Sequence, residues 1–336
     1  MQKVPFFSVI IPAYNVAEDL GRCLESVISQ DFADWEAVIV DDCSSDATLS
    51  VAGRYAEADA RIKVFKSENN SGGAYVPRVR AASLAAGKFL VIIDADDYVT
   101  PDLLSLHYDK ISKEGADLAV PEMWRVEGAR IFKFLPIAEF DDSAVWEGRE
   151  LVERTLRYWQ FPMAGFAVRR EVYLAADASL SPEDKKSVFA DELLSRWVLF
   201  LSGKVAFTAA RYYYRLNPAS VTRTDSVRFV RDKMMTCNSL ISMTEKTFGC
   251  LSAVNLIAFD NKFLSAVDSL RLANEHALKR HEIKKIEETV ASEMNGFPYS
   301  LLRRRMSPRY LALMRLPVPL ARRLLKLLDH LLNKKK

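Results

Sequence analysis

Three acids lie within four residues near the middle of the chain, Asp94, Asp96 and Asp97, broken only by Ala95, and they follow at once on Lys88-Phe89-Leu90-Val91-Ile92-Ile93. An apolar run without alternation predicts a central strand covered on both faces, and ligands of open α/β sheets gather beyond the carboxyl ends of such strands. Period-two geometry sends Asp94 and Asp96 to one side, so one can meet the sugar groups of a ligand while the other coordinates a hard divalent cation. Neighbouring carboxylates also repel one another, which implies a positive partner. The plainer reading makes them solvated acids ahead of a helix, with 97–100 capping it before Pro101.

The preceding residues supply elements that position these acids. Residues 6–11 read as a strand closed by Pro12-Ala13-Tyr14-Asn15. A helix follows over 16–30, with Leu20, Cys23, Leu24 and Val27 as its buried stripe and Glu18 and Asp19 favouring its N-terminus. Residues 35–40 form a second strand ending in Asp41-Asp42-Cys43-Ser44-Ser45-Asp46, before a helix over 47–58. A third strand over 62–65 leads through Asn69-Asn70-Ser71-Gly72-Gly73 to a helix over 76–86. This alternation predicts an α/β fold with a parallel sheet and right-handed crossovers.

The loops at the strand ends differ in chemistry and together can hold a nucleotide. Tyr14 offers an aromatic face to a base, and Asp41 or Asp42 can accept hydrogen bonds from a base or ribose. Gly72 and Gly73 permit a tight turn. Arg78, one turn into its helix, can reach a diphosphate or the second acid. No Gly-x-Gly-x-x-Gly or Gly-x-x-x-x-Gly-Lys follows the first strand, which disfavours hydride-transfer dinucleotide folds and phosphate-loop enzymes.

With 336 residues, 49% apolar and 27% charged, the composition is that of a soluble globular protein of about two domains. No run approaches the ~18 apolar residues of a spanning helix, and the first strand begins too early to leave room for a signal peptide, which predicts a cytosolic protein. Cys23, Cys43, Cys237 and Cys250 lack metal-ligand spacing and read as reduced thiols in or near the core. The net charge of +3 is uneven, because residues 301–336 hold 11 of the 47 Lys and Arg but one of the 44 acids, Asp329, leaving −7 on the first 300. That distribution argues against nucleic acid as a partner.

Three separated segments carry a family resemblance: Ser8-Val9-Ile10-Ile11-Pro12-Ala13-Tyr14-Asn15, Val40-Asp41-Asp42-Cys43-Ser44-Ser45-Asp46, and Gly87-Lys88-Phe89 through Asp94-Ala95-Asp96-Asp97. In order and spacing, across roughly 6–105, the chain resembles the family 2 glycosyltransferases with a GT-A fold. The resemblance implies an inverting transfer of sugar from a nucleotide donor. It puts Pro12, Tyr14, Asn15, Asp41, Asp42, Arg78, Asp94 and Ala95 at the nucleotide sugar and Asp96 on Mn²⁺ or Mg²⁺. Pro12 can instead simply end a strand, and Ser44 or Asp46 cap a helix. Where the family usually has Ala-Arg-Asn and a later Gly, this chain has Pro77-Arg78-Val79 and Ala81, keeping the arginine only. Some branches that build bacterial surface polysaccharides share this form, a weaker resemblance that sets no sugar.

Beyond Leu103 the resemblance implies acceptor recognition. A helix over 104–114 and a short strand over 117–121 precede Trp124, Phe132, Phe134 and Phe140, aromatic residues suited either to stacking on sugars or to the core. Trp159, Phe161 and Met163 before Ala164-Gly165-Phe166-Ala167-Val168 resemble the family's acceptor-side strand. Ser187-Val188-Phe189-Ala190-Asp191-Glu192 resembles the segment that supplies the family's base, with the usual acid order reversed, so either Asp191 or Glu192 can take that role. Asp191 can equally cap a helix running to about Ser202. Leu193-Leu194-Ser195-Arg196-Trp197 echoes the Gln-x-x-Arg-Trp of processive synthases without its glutamine, which favours non-processive transfer. Residues 205–207 and Tyr212-Tyr213-Tyr214-Arg215 read as a closing strand and loop, with Arg215 pairing a donor phosphate or a neighbouring acid.

The domain reading is a GT-A domain over 1–225, its nucleotide-sugar half at 1–105 and its acceptor half at 106–225, then an α-helical region over 226–336. The donor is a nucleoside-diphosphate sugar, a UDP-sugar by preference, and the acceptor a glycan or lipid-linked saccharide. From 319 onward, Leu320, Leu324, Leu327, Leu328 and Leu331 line one helical face beside Arg322, Arg323, Lys326 and Lys334, Lys335 and Lys336. Such a helix can dock on the protein's own acidic body, form a homodimer, or lie on an anionic membrane surface, the reading preferred here. The alternatives to a glycosyltransferase are a catalytically degenerate carbohydrate-binding or scaffolding protein and, from the same class, a sugar nucleotidyltransferase, disfavoured because no Gly-rich basic phosphate loop follows the first strand.

Overall fold

Strands and helices alternate through the first ninety residues of the computed structural model much as the apolar pattern predicts. Residues 4–133, 144–156, 163–215, 226–274, 278–302 and 306–333 are described. Phe134, Phe140, Trp159, Phe161, Lys334, Lys335 and Lys336 lie outside them, as do the side chains of Leu327, Leu328 and Leu331. The order is β1 (Phe7–Ala13), α1 (Ala17–Ile28), β2 (Trp35–Asp41), α2 (Thr48–Ala58), β3 (Ile62–Lys66), α3 (Tyr75–Leu84) and β4 (Phe89–Ile92). Strands β1, β2 and β4 are buried along their whole length, which is why their sequences show no alternation. Strand β1 pairs in parallel with β2 on one side and β4 on the other, and β2 pairs in parallel with β3, so the loops after these strands gather at one edge. Leu20, Cys23, Leu24 and Val27 of α1 are buried, as their helical spacing requires.

The sheet continues through β5 (Tyr98–Val99), α4 (Leu103–Glu114), β6 (Leu118–Glu127), β7 (Arg130–Lys133), β8 (Val145–Glu147), α5 (Gly148–Leu156), β9 (Ala167–Arg169), α6 (Arg170–Ala178), α7 (Ala190–Leu201) and β10 (Lys204–Arg215). Its order is β3-β2-β1-β4-β9-β6-β10-β5, with β7 on β6 and β8 on β10. Strand β9 lies antiparallel between β4 and β6 and joins the two halves of the sheet. The segments 205–207 and 212–215 prove to be one strand, β10, whose register on β6 shifts between Phe207 and Arg211. Gly87, ahead of β4, has a steric reason: a Cβ there would lie 2.6 Å from Ser8 Oγ and 2.7 Å from Ser8 N.

Met1–Lys185 with Leu194–Pro218 form one compact unit, and Lys186–Leu193 with Ala219–Lys336 form a second. Beyond residue 225 the second unit is helical, as its composition predicts: α8 (Ser226–Phe248), α9 (Ala253–Leu272), α10 (Arg280–Glu293), α11 (Pro308–Leu313) and α12 (Val318–Asn333). Its core gathers Met234, Phe263, Leu270, Ile286, Val290 and Leu325. The side chain of Ser252 caps α9 by accepting the Asn255 N–H at 3.1 Å.

Candidate active site

The loop after β4 is a tight turn, closed by the Asp97 N–H donating to the Asp94 carbonyl at 3.0 Å, and not the extended backbone that the period-two reading assumed; Ala95 and Asp97 are buried, while Asp94 and Asp96 are partly exposed. Arg78 of α3, itself buried, donates to Asp94 Oδ1 at 2.8 Å, so the one arginine retained from the family pattern engages the first acid of the loop. The Asp94 N–H donates to Tyr212 Oη at 3.1 Å, and the Tyr212 hydroxyl donates to Asp97 Oδ2 at 2.6 Å. Asp97 Oδ1 accepts the Arg215 N–H at 2.7 Å. Asp97 is therefore no helix cap in solvent, because its carboxyl ties the loop to β10. Burial, with Asp94 and Asp96 close by, pushes its pKa well above the usual carboxylate range.

Two arginines flank the loop. The Arg22 guanidinium donates to the Asp96 carbonyl at 3.2 Å and to Asp19 Oδ1 at 3.0 Å, and Arg215 pairs with the same Asp19 oxygen. Burial, with Asp97, Asp94 and Asp96 nearby, pushes the pKa of the Cys23 thiol well above its usual range. Among the described residues no cluster of three or more His, Cys, Asp or Glu could enclose an ion by itself. One or two carboxylates of the loop are instead hard oxygen donors of the kind that hold Mg²⁺ or Mn²⁺ jointly with a substrate's phosphates. The partly exposed carboxylates of this loop are of a kind that fits such an ion.

At the end of β2, Asp41 and Asp42 are 0% and 2% exposed, yet each keeps one carboxylate oxygen, Oδ1, with no hydrogen-bond partner. The second oxygen of Asp41 accepts the Ser44 N–H at 3.2 Å, and that of Asp42 accepts the Ser71 N–H at 2.9 Å and hydroxyl at 2.8 Å. A buried acceptor left over in an otherwise satisfied pair is suited to a donor on a ligand. Pro12 is buried within β1 and Tyr14 is 48% exposed beyond it. The Asn15 carboxamide accepts the Ser45 N–H at 2.8 Å and its backbone N–H donates to Ser44 Oγ at 3.0 Å, so Asn15 binds the two loops together. Asp46 receives the Ala17 and Thr48 N–H groups, bridging the first turns of α1 and α2 rather than capping one of them. Asn15 and Cys43 both adopt left-handed backbone, φ 47° and 62°, which fixes the path of these loops.

Eight of the anticipated residues therefore share the edge where β1, β2 and β4 end, and Arg78 reaches in from α3. Asp191 and Glu192 stand in the first turn of α7 within the second unit. Glu192 is buried, and Asp191 Oδ1 accepts the Glu192 N–H at 3.0 Å. The sequence carries no sign of a site role for Asp19, Arg22 and Tyr212, and marks Asp97 only as one of the acid cluster or a cap; their contacts, Arg22 with the Asp96 carbonyl, Arg215 with Asp19 and Tyr212 with Asp97, span more than seventy residues. Trp124, anticipated either as a stacking surface or as core, carries Arg211 over its ring at 4.9 Å and donates its indole N–H to Glu122 at 3.0 Å.

A mostly parallel sheet whose carboxyl edge carries acids after β2 and β4, extended by antiparallel strands, is an α/β fold of the GT-A kind. A crystal structure of residues 1–349 of TarS from S. aureus, in complex with UDP-GlcNAc, superimposes with a TM-score of 0.72 at 21% identity, covering 94% of this chain and 89% of that one. A Pyrobaculum calidifontis mannosyltransferase, PcManGT, in complex with GDP-Man and Mn2+, gives 0.51 at 15% identity, over 98% and 88% of the two chains. Residues 8–174 match the model of glycosyl transferase family 2, and the chain belongs to that family. The poly(ribitol-phosphate) beta-N-acetylglucosaminyltransferase TarS of Staphylococcus aureus (strain Mu50 / ATCC 700699) is 30% identical over 210 residues. That match takes in 62% of this chain but only 35% of the relative's length.

Proposed function

We propose that this chain is an inverting, non-processive glycosyltransferase that moves a sugar from a nucleoside diphosphate, by preference UDP, to a hydroxyl of a glycan or lipid-linked acceptor in bacterial surface polysaccharide synthesis. The observation that carries this reading is the pairing of two half-satisfied buried carboxylates, Asp41 and Asp42, with the Arg78-braced acidic loop on one edge of a family 2 sheet. Base and ribose offer N–H and O–H donors, which the open Asp41 and Asp42 oxygens can accept. Tyr14 presents a ring beside them. A Mn²⁺ or Mg²⁺ ion on Asp96 would supply positive charge against the departing diphosphate. Asp191 or Glu192 takes the proton from the acceptor hydroxyl, whose oxygen forms the new bond at the anomeric carbon as the bond to the diphosphate breaks on the opposite face. This reading places the reaction in the cytosol, where four free thiols suit the reducing conditions.

Asp96→Asn tests it. Titration calorimetry with UDP should show Mn²⁺-dependent tightening in the native chain and none in the variant, whose melting midpoint should be unchanged because the side chain is partly exposed. Equal tightening in both would remove Asp96 from the metal site and the mechanism with it.

A further inference from the structure

Helix α12 carries two apolar faces, and its own unit uses one of them. Ala321 and Leu325 are 1% and 0% exposed within the second unit's core, joined by Val318. Arg322 beside them is held by Glu287 at 2.6 Å and by Asn274 at 2.8 Å. Round the helix on its outward side, Leu320 and Leu324, one turn apart, are 45% and 36% exposed, and Leu316 just ahead of the helix is 36% exposed. Arg323, three residues on from Leu320, borders this stripe and Lys326 lies further round the exposed side of the helix; neither has an ion-pair partner among the described residues.

We propose that this outer face, Leu316, Leu320 and Leu324 with Arg323 and Lys326, docks the chain on an anionic lipid bilayer. The charge around it selects the occupant. Residues 301–336 hold 11 Lys or Arg against one acid, so a second copy meeting this face would bring the same positive excess against itself. An anionic bilayer supplies both missing partners, acyl chains for the leucines and negative headgroups for the basic side chains. No helix among the described residues is long and apolar enough to cross a membrane, so the contact is with the surface. The −7 carried by the first 300 residues repels such a surface and leaves the tail as the point of contact. This inference does not rest on the sugar-transfer reading, because lipid binding and donor binding are measured separately.

Co-sedimentation of the full chain with phosphatidylglycerol–phosphatidylcholine vesicles tests it. At low salt the chain should pellet with these vesicles, stay in solution with phosphatidylcholine alone, and be released at high salt. Arg323→Gln with Lys326→Gln, and separately Leu320→Ser with Leu324→Ser, should each weaken partition about tenfold or more while leaving UDP affinity and melting midpoint unchanged. Three outcomes would overturn the proposal: no binding to anionic vesicles at low salt, binding untouched by either pair of substitutions, or a concentration-dependent dimer that the leucine substitutions dissolve.

Discussion

The guanidinium of Arg78 lies 2.8 Å from the carboxylate of Asp94, and the arginine is buried where it does so. One acid of the loop is thus neutralised by the fold itself before any ligand arrives. Asp96, two residues on, is partly exposed.

Removing that brace should act on donor binding. Arg78→Met leaves Asp94 without its counter-charge, and UDP affinity measured by calorimetry should fall about tenfold, roughly 1.4 kcal/mol. Arg78→Lys should recover part of the loss, since an ammonium lacks the planar fork of a guanidinium. Native affinity in Arg78→Met would show that the pair is structural only.

Tyr212 serves two neighbours with one hydroxyl, accepting from Asp94 N–H and donating to Asp97. Tyr212→Phe strands a carboxylate oxygen on a residue that is 0% exposed, and should destabilise the fold by about 1–3 kcal/mol in urea titrations. An unshifted midpoint would mean that the loop does not depend on this link.

A base and a helix cap give different signatures at the start of α7. Asp191→Asn or Glu192→Gln, whichever residue is the base, should keep UDP binding and lose transfer by about 10²-fold or more. Loss of a cap at Asp191 would instead appear as about 1 kcal/mol of stability. Near-normal turnover in both variants on a working acceptor would exclude the pair.

His107 sets a pH dependence of the fold. It is fully buried; its Nε2 donates to the Gly165 carbonyl at 2.9 Å, and its Nδ1 lies 3.3 Å from the Thr208 hydroxyl. Burial, only partly opposed by the Gly165 bond, lowers its pKa from 6.5 to about 4. Above about pH 6.5 the ring is neutral in folded and unfolded chains and has no effect. As pH falls toward 4 the unfolded chain takes up a proton that the fold refuses, so stability declines by up to about 3 kcal/mol and then levels. His107→Gln should make the stability profile between pH 7.5 and 4.5 correspondingly flatter; an unaltered slope would refute the assignment.

Much of the nucleotide edge was legible because its signals are local. Unbroken apolar runs mark strands buried on both faces, and the polar loops after them fall at one edge as soon as the strands are parallel. Asp41, Asp42, Asp94 and Asp96 could be singled out because each stands at the end of such a run. Helix α1 was equally legible from Leu20, Cys23, Leu24 and Val27. Helices α5 and α6 were not, since each is a short nine-residue element whose burial depends on its neighbours.

By itself the sequence determined which residue types stand at the strand ends and that the tail carries the positive charge, because both follow from what is adjacent in the chain. Only the tertiary structure decided the separate fates of three neighbouring acids. Asp94 is braced by Arg78 from the preceding helix, Asp96 stays partly exposed, and Asp97 is buried against Tyr212 and Arg215, more than a hundred residues away. It likewise decided that α12 turns Ala321 and Leu325 inward and Leu320 and Leu324 outward, a choice between two apolar faces that helical spacing alone leaves open. The physical reason is the same in both cases: burial and charge compensation belong to contacts between distant segments, and only packing brings those segments together.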